Sequence, residues 1–325
     1  MGGITENGNG LSHRLIDGGM KPNRQLEKPK NTPWKCAVLK DNTYVSLSPF
    51  IHTEGYKAVG VQKGFVYREL SINPDELGQK IKEFKDPTNF YKGISVGVPF
   101  KGTDGVMRKD QAGLYVYLDA VEEAAEKIGA VNTIVVQREQ GKSRLVGTNT
   151  DVVGFVDSVK EKGLTFSDKK VIIYGAGGAS RASIYGALQE GASSITVAVR
   201  NLTSDKAMGT SNLFSDDPRV KLVPMASADI RDYDIIVNTI PLHDDNKFLN
   251  VPVNKITKDH ILVEWKYSKE LEKTELEEEA EKRGAQVISG RDILLHQAKG
   301  QFELYTEKKA PLEVMRQAVR TATKT

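Results

Sequence analysis

The sequence predicts an α/β protein of two domains, the second of them a doubly wound parallel sheet. Three observations predict this. The 325 residues exceed one ordinary core. Strand and helix signals alternate along most of the chain, and the stretch Val171–Asn201 reads as a strand, a glycine-rich turn, a helix and a second strand.

In that stretch Val171-Ile172-Ile173-Tyr174 is a short β-branched and aromatic run, followed by Gly175-Ala176-Gly177-Gly178-Ala179-Ser180. A nucleotide-binding fold makes its first tight turn at such a place. Gly175 permits the turn, Gly177 lets the backbone approach a pyrophosphate, and Ser180 is small enough for the helix to pack on the strand. The helix from Ala179 to about Glu190 aims free N–H groups and its positive dipole end at that phosphate. A second strand at Ile195–Val199 completes the unit, so residues 152–289 are expected to form a Rossmann-type nucleotide-binding domain. The end of this second strand meets the adenosine ribose, where an acid would favour NAD. Here the strand delivers Arg200 and Asn201 with no carboxylate. Arg200 favours a 2′-phosphate and hence NADP, with NAD as the alternative.

From the N-terminus, residues 1–33 are polar and glycine-rich and read as a flexible tail. Lys35–Leu39 is the first strand, and a polar loop at Asp41–Thr43 leads to Tyr44–Pro49. Pro49 suits a first helical turn with Ser48 as its cap, which predicts a helix to about Val59. Phe65–Leu70 alternates as a strand, Asn73-Pro74 opens a helix ending near Phe84, and Ile94–Val98 is a strand stopped by Pro99. Asp119–Ile128 has amphipathic helical spacing, Val131–Val136 is a strand, and Leu145–Gly147 is a short return. The alternation is that of a parallel sheet, and residues 34–151 form an α/β domain of their own.

Asn149-Thr150-Asp151 leads into a helix at about Val152–Lys162, after which the glycine-turn unit begins. Tyr233–Asn238 and Ile261–Trp265 are continuous apolar runs, as buried parallel strands should be. Ser268–Arg283 is a charged helix closed by Gly284, and its glutamates read as a solvated face. Gln286–Ser289 is the last strand, Gly290 breaks the chain, and helices follow at about Asp292–Thr306 and Leu312–Ala322.

Composition narrows the function classes. The 46 basic and 43 acidic residues are interleaved, so a net charge of +3 gives no basis for nucleic-acid or membrane binding. Cys36 is the only cysteine, which excludes an internal disulfide and a thiolate metal cluster and fits a reducing, cytoplasmic setting. His13, His52, His243, His260 and His296 are scattered without ligand-like spacing, so no metal is expected. No apolar run is long enough to span a bilayer.

Polar residues at element ends are the chemical candidates: Ser46, Ser48, Lys101, Asn132, Asp151, Tyr267 and Gln297. Each has a plain structural reading taken singly, Ser48 and Asp151 as helix caps, Lys101 as a solvated amine, Asn132 as a turn residue and Gln297 as a surface amide. Their order gives the set its meaning. Ser46-Leu47-Ser48-Pro49 with His52, Val98-Pro99-Phe100-Lys101, Ile128-Gly129-Ala130-Val131-Asn132-Thr133 and Asn149-Thr150-Asp151 with Gly154-Phe155 stand in the first half. Gly175-Ala176-Gly177-Gly178-Ala179-Ser180-Arg181, Tyr267, and Gly290 with Leu294, Leu295 and Gln297 stand in the second. Over nearly all of residues 35–320 this series resembles the shikimate and quinate dehydrogenase family.

The resemblance implies an N-terminal substrate domain, completed by C-terminal helices in 290–325, and an oxidoreductase that oxidises a ring hydroxyl of quinate or shikimate, hydride passing from the carbon that bears it to nicotinamide. It implies a small hydroxy-carboxylate partner and a monomer or homodimer. Removing hydride from a secondary alcohol requires its proton to leave as well. Lys101 serves if burial and neighbours lower its pKa, with Asp151 orienting the amine. Ser46 and Ser48 are expected on the carboxylate, and Asn132, Tyr267 and Gln297 on ring hydroxyls and carboxylate. Gly175, Ala176, Gly177, Gly178, Ala179, Arg200, Asn238, Thr239 and Gly290 are expected on the cofactor.

Three departures stand out. Gly97 replaces a usual threonine, which removes a hydroxyl, opens space beside the ring and tilts the reading towards the bulkier quinate. Val199-Arg200-Asn201 keeps the arginine but not its usual neighbours, and His243 replaces a glycine after Asn238-Thr239-Ile240-Pro241-Leu242. Two other readings use the same fold: a metabolite sensor, which needs the pocket but no proton relay, and a folate-type dehydrogenase, which needs neither the paired serines nor the glutamine.

Overall fold

The structure, a computed structural model, describes residues 29–97, 99–101, 114–139, 141–240, 251–267 and 273–322. Each of its two sheets has six strands. The first contains β1 (Trp34–Lys40), β2 (Phe65–Ser71), β3 (Tyr91–Val96), β4 (Ala120–Val121), β5 (Thr133–Glu139) and β6 (Lys142–Thr148), in the order β2-β1-β3-β5-β6-β4. The connecting helices are α1 (Ser48–Ala58), α2 (Leu77–Lys85) and α3 (Glu123–Ile128), and α4 (Asp151–Glu161) leaves the sheet. Asn73 opens the α2 segment with a capping box to Glu76 through a short 3-10 turn at Pro74–Glu76.

Several local expectations are corrected here. The first sheet is parallel except at β5, which runs antiparallel to both β3 and β6. β5 and β6 are joined by a tight connection at Gly141, whose φ of +80° lies in the left-handed region, and a hairpin turns a strand back on its neighbour. Only Glu123–Ile128 of the segment from Asp119 is helical. Asp119 instead accepts the Leu145 N–H at 2.7 Å, and Ala120 and Val121 pair with Val146 and Gly147 at the sheet edge. Ser48 is the first residue of α1 rather than its cap, and the hydroxyl of Ser46 accepts the Ser48 N–H at 3.2 Å.

The second sheet contains β7 (Lys170–Tyr174), β8 (Ser194–Val199), β9 (Val220–Pro224), β10 (Ile235–Asn238), β11 (Ile261–Glu264) and β12 (Gln286–Ile288). All five pairings are parallel, and the order β9-β8-β7-β10-β11-β12 is that of a doubly wound nucleotide-binding sheet. Its central strands are sealed on both faces, and Ile172, Ile173, Val197, Ile236 and Val263 expose none of their surface. Around it lie α5 (Gly178–Gln189), α6 (Asp205–Leu213) and α7 (Glu275–Lys282). The α6–β9 unit was not anticipated. Ser204 caps α6, and β9 is a half-exposed edge strand whose apolar signal is short. The charged helix starts at Glu275 with a Thr274–Glu277 capping box, and residues 268–272 lie outside the described residues, as does His243.

Gly290 does not break the chain. It is the first residue of α8 (Gly290–Thr306), capped by Ser289, and the last helix is α9 (Leu312–Thr321). These helices return to the first sheet, where Leu295, Phe302, Tyr305 and Met315 share a core with Cys36, Val38, Ile51 and Tyr56. The Tyr305 ring lies so close on β3 that a Cβ at Gly93 would stand 2.0 Å from it. α4 packs against both α5 and α8, so the segment starting at Asp151 joins the two halves. Among the described residues no helix is long and apolar enough to cross a membrane, and no group of three His, Cys, Asp or Glu could hold a metal.

Candidate active site

Asp151 opens α4, and its carboxylate is held from two sides. Lys101 donates to Oδ2 at 2.9 Å and the amide of Asn132 donates to Oδ1 at 2.8 Å. Behind it the Asp151 N–H donates to Asn149 Oδ1 at 2.9 Å, and the amide of Asn149 donates to the Ala130 carbonyl at 2.9 Å. Asn132 also accepts the Thr150 N–H at 2.7 Å and the Thr133 hydroxyl at 2.8 Å. The turn before β5 and the start of α4 are thereby locked together, and a wholly partnered buried network resists rearrangement. Asn132 is 1% exposed and stands behind Asp151 rather than on a cavity wall, which differs from the direct ring contact expected of it.

A cavity of about 160 Å³ opens beside this pair, bounded by Ser46, Ser48, Lys101, Asp151, Tyr267 and Gln297 together with Gly97 and Gly290. Six of the seven candidate polar residues therefore meet on one surface. The Lys101 side chain is 36% exposed and that of Asp151 11% exposed, as suits a pair with one end open to a ligand. Tyr267 follows β11. Desolvation of its hydroxyl, with the Asp151 charge behind it, raises its pKa above the ordinary phenol value, although 40% of the residue is exposed.

Gly97 does not leave the space expected of it. A Cβ there would stand 1.9 Å from the hydroxyl oxygen of Tyr44 and 3.1 Å from Lys40 Cβ. The Tyr44 hydroxyl thus stands where a threonine side chain at this position would begin.

Sequence reasoning missed several lining residues: Tyr44, Ser95, Trp265 and Gln301. Ser95 receives the Tyr67 hydroxyl at 2.6 Å and donates to Gln301 Oε1 at 2.7 Å, while Gln301 donates to the Thr133 hydroxyl at 3.0 Å. Gln301 lies one helical turn beyond Gln297, and that i, i+4 spacing was the available signal. Trp265 donates to the Ser183 hydroxyl of α5 at 2.9 Å and stacks on Phe155 of α4, joining the cavity to the helix behind the glycine turn.

The glycine turn fits a dinucleotide. Gly175 has φ +107°, and a Cβ there would meet Thr239 Oγ1 at 2.6 Å, so only glycine is accommodated. A Cβ on Gly177 would meet no described atom within 4 Å, so the backbone faces open space where a phosphate would approach. Ser180 donates to the Gly175 carbonyl at 2.8 Å and Thr210 to that of Ala176 at 3.0 Å, which fixes the turn from inside. Gly178 and Ala179 begin α5. Arg200 is exposed just beyond β8. The Asn238 amide donates to Glu264 at 2.8 Å and the Thr239 hydroxyl to the Tyr174 carbonyl at 2.7 Å, so both side chains serve the protein and leave only their backbone to face a cofactor. Burial pushes the Glu264 carboxyl up to about 7 against the hydrogen bonds from Asn238 and Lys266. Gly290 is required by packing, since a Cβ there would stand 2.2 Å from the Lys266 carbonyl oxygen.

A larger cleft of about 740 Å³ lies among α7, α8 and α9 and holds none of these residues. Its charges are cross-paired, as in Arg316–Asp292 at 3.5 Å and Lys273–Glu281 at 2.5 Å.

Comparison with known proteins gives a consistent result. Residues 38–134 match the shikimate dehydrogenase substrate binding domain, and residues 290–320 the shikimate 5'-dehydrogenase C-terminal domain. The chain is 34% identical over 283 residues to a shikimate dehydrogenase (NADP(+)) of Carboxydothermus hydrogenoformans, covering 84% of this chain and 92% of that one. It is 31% identical to the solved shikimate dehydrogenase of Aquifex aeolicus, with a TM-score of 0.74 over 89% of this chain and 98% of that one. The Listeria monocytogenes shikimate 5-dehydrogenase, solved with shikimate and NAD, is 26% identical with a TM-score of 0.76, over 91% and 99% of the two chains.

Proposed function

The chain belongs to the shikimate dehydrogenase family, and on that premise we propose that it catalyses the reversible, NADP-dependent oxidation of the ring 3-hydroxyl of shikimate to 3-dehydroshikimate. The observation that carries this reading is the Lys101–Asp151 pair, 2.9 Å apart, on the wall of a cavity it shares with Ser46 and Ser48. A metabolite sensor needs the cavity but not the pair.

Nicotinamide, when bound, supplies the hydride acceptor or donor. Gly175 to Ala179 would hold the pyrophosphate on the N-terminal end of α5, the backbone at Asn238 and Thr239 would face the nicotinamide side, and Arg200 would grip the 2′-phosphate. The chain's own residues handle the proton. As the C–H bond breaks, the alcohol O–H passes its proton to Nζ of Lys101 in its neutral amine form, Asp151 holds the resulting ammonium, and the ammonium returns the proton in the reverse direction. Asn132 holds Asp151 so that its second oxygen remains on Lys101. The hydroxyls of Ser46 and Ser48 receive the ring carboxylate, and Gln297 and Tyr267 supply uncharged hydrogen bonds to the rest of the ring. The substrate-binding unit on this reading is residues 34–151 completed by 290–325, and the nucleotide-binding unit is residues 152–289.

Initial rates with shikimate and with quinate, each with NADP and with NAD, test the proposal. A rate with shikimate and NADP is expected. No rate with either ring acid and either cofactor overturns it.

A further inference from the structure

Resting on that reading, we propose that Tyr44 is a specificity-determining residue of the cavity, closing the wall at Gly97 and presenting its hydroxyl to the substrate ring from that side. Four observations lead to it. The Tyr44 hydroxyl oxygen would stand 1.9 Å from a Cβ on Gly97, so tyrosine and glycine together make the shape that neither makes alone. Both residues line the 160 Å³ cavity with Lys101, Asp151 and the two serines. Tyr44, Ser46 and Ser48 recur at two-residue spacing, and all three reach that cavity while Val45 between them is 64% exposed.

The fourth observation is how the ring is held. The ammonium of Lys40, itself 1% exposed, stands 4.8 Å from the Tyr44 ring centroid and pairs with Glu69 at 3.1 Å. The second oxygen of Glu69 accepts the Ser46 N–H at 3.0 Å. One ion pair, its lysine buried and its glutamate partly exposed, therefore touches both the tyrosine and the first of the paired serines, and the phenol reaches the ring side already oriented. A phenol held this way donates one hydrogen bond and leaves little room, so it favours a flat ring and disfavours an added substituent on that side.

The proposal is tested by Tyr44→Phe, Tyr44→Ala, Gly97→Ala and the double variant Tyr44→Ala/Gly97→Ala. Tyr44→Phe is expected to raise the KM for shikimate about fivefold, the size of one neutral hydrogen bond, and to leave the KM for NADP unchanged. Tyr44→Ala should shift the kcat/KM ratio towards quinate. Gly97→Ala should lower Tm beside Tyr44 and not beside Ala at that position, a readout that needs no substrate. An unchanged shikimate KM in Tyr44→Phe, or Tm losses that simply add, overturns the role of Tyr44. Wild-type protein inactive on both ring acids, with the Tm coupling present, overturns instead the reading of the reaction and leaves the fit of Tyr44 to Gly97 standing.

Discussion

The amide of Asn132 donates to Oδ1 of Asp151 at 2.8 Å while the other carboxylate oxygen takes Lys101 at 2.9 Å. A carboxylate with both oxygens engaged cannot rotate without breaking a charge-assisted bond, so Asn132 makes Asp151 a fixed partner for the lysine. Replacing Lys101 or Asp151 by alanine should lower kcat by about a hundredfold to ten-thousandfold with NADP affinity unchanged. Asn132→Ala should lower kcat by less and leave the KM for shikimate close to wild type. Steady-state kinetics on the three variants measures this, and near-normal turnover in either of the first two removes that residue from the proton path.

Arg200 tests the cofactor. Arg200→Ala should weaken NADP by about tenfold or more and NAD by much less, since only NADP presents a phosphate for paired, charge-assisted hydrogen bonds. Titration with each cofactor separates the two, and equal losses leave Arg200 a solvated surface residue.

The choice of ring acid follows from the filled space at Gly97. With Tyr44 in that volume, shikimate should exceed quinate in kcat/KM, by roughly the tenfold that one steric or hydrogen-bond misfit is worth. Parallel rate measurements on the two acids decide it, and a preference for quinate would mean that the tyrosine gives way.

Two buried groups should set the pH range of stability. His52 exposes none of its surface, stacks on Tyr67 at 4.3 Å, and burial pulls its pKa down to about 3. Its folded pKa is depressed below the ordinary 6.5, so the neutral form stabilises the fold above that value, and the contribution is lost as pH falls from 6.5 towards 3. The loss is at most about 1.4 kcal/mol for each pH unit. Thermal unfolding between pH 6.5 and 4 should show His52→Phe to be less acid-sensitive than wild type.

Glu264 acts in the opposite direction. Its folded pKa is raised from 4.5 to about 7, so its contribution is present below 4.5 and is lost as pH rises through about 7. Glu264→Gln should remove a fall in Tm between pH 5 and 8 and make the variant more stable than wild type at pH 8. An unchanged pH profile would show that the buried carboxyl is not what titrates there.

Much of this was legible along the chain, and the exceptions have physical causes. The glycine turn and the strands beside it follow from local residue types, and the meeting of Ser46, Ser48, Lys101 and Asp151 follows from the family resemblance that their order carries. The antiparallel β5 was not readable, because apolar patterning is the same in either direction and only the hairpin at Gly141 decides. The spacing from Asp119 suits a helix, whereas the bond that Asp119 accepts from the Leu145 N–H is a tertiary contact. Gly97 misled in a more instructive way. A glycine signals an absent side chain, and nothing in linear order tells whether a neighbour fills the hole, as Tyr44 does here.

The return of α8 and α9 to the first sheet has a consequence for how the chain is made. Cys36, Val38, Ile51 and Tyr56 bury themselves against Leu295, Phe302 and Met315, partners synthesised more than two hundred residues later. The nucleotide-binding strands between them, β7 to β12, meet neighbours close in sequence and can complete their sheet first. On a ribosome, then, the first sheet emerges before the nucleotide-binding strands yet waits longer with its apolar face uncovered, and truncation within α9 should lead to aggregation of that sheet's half before it affects the nucleotide-binding half.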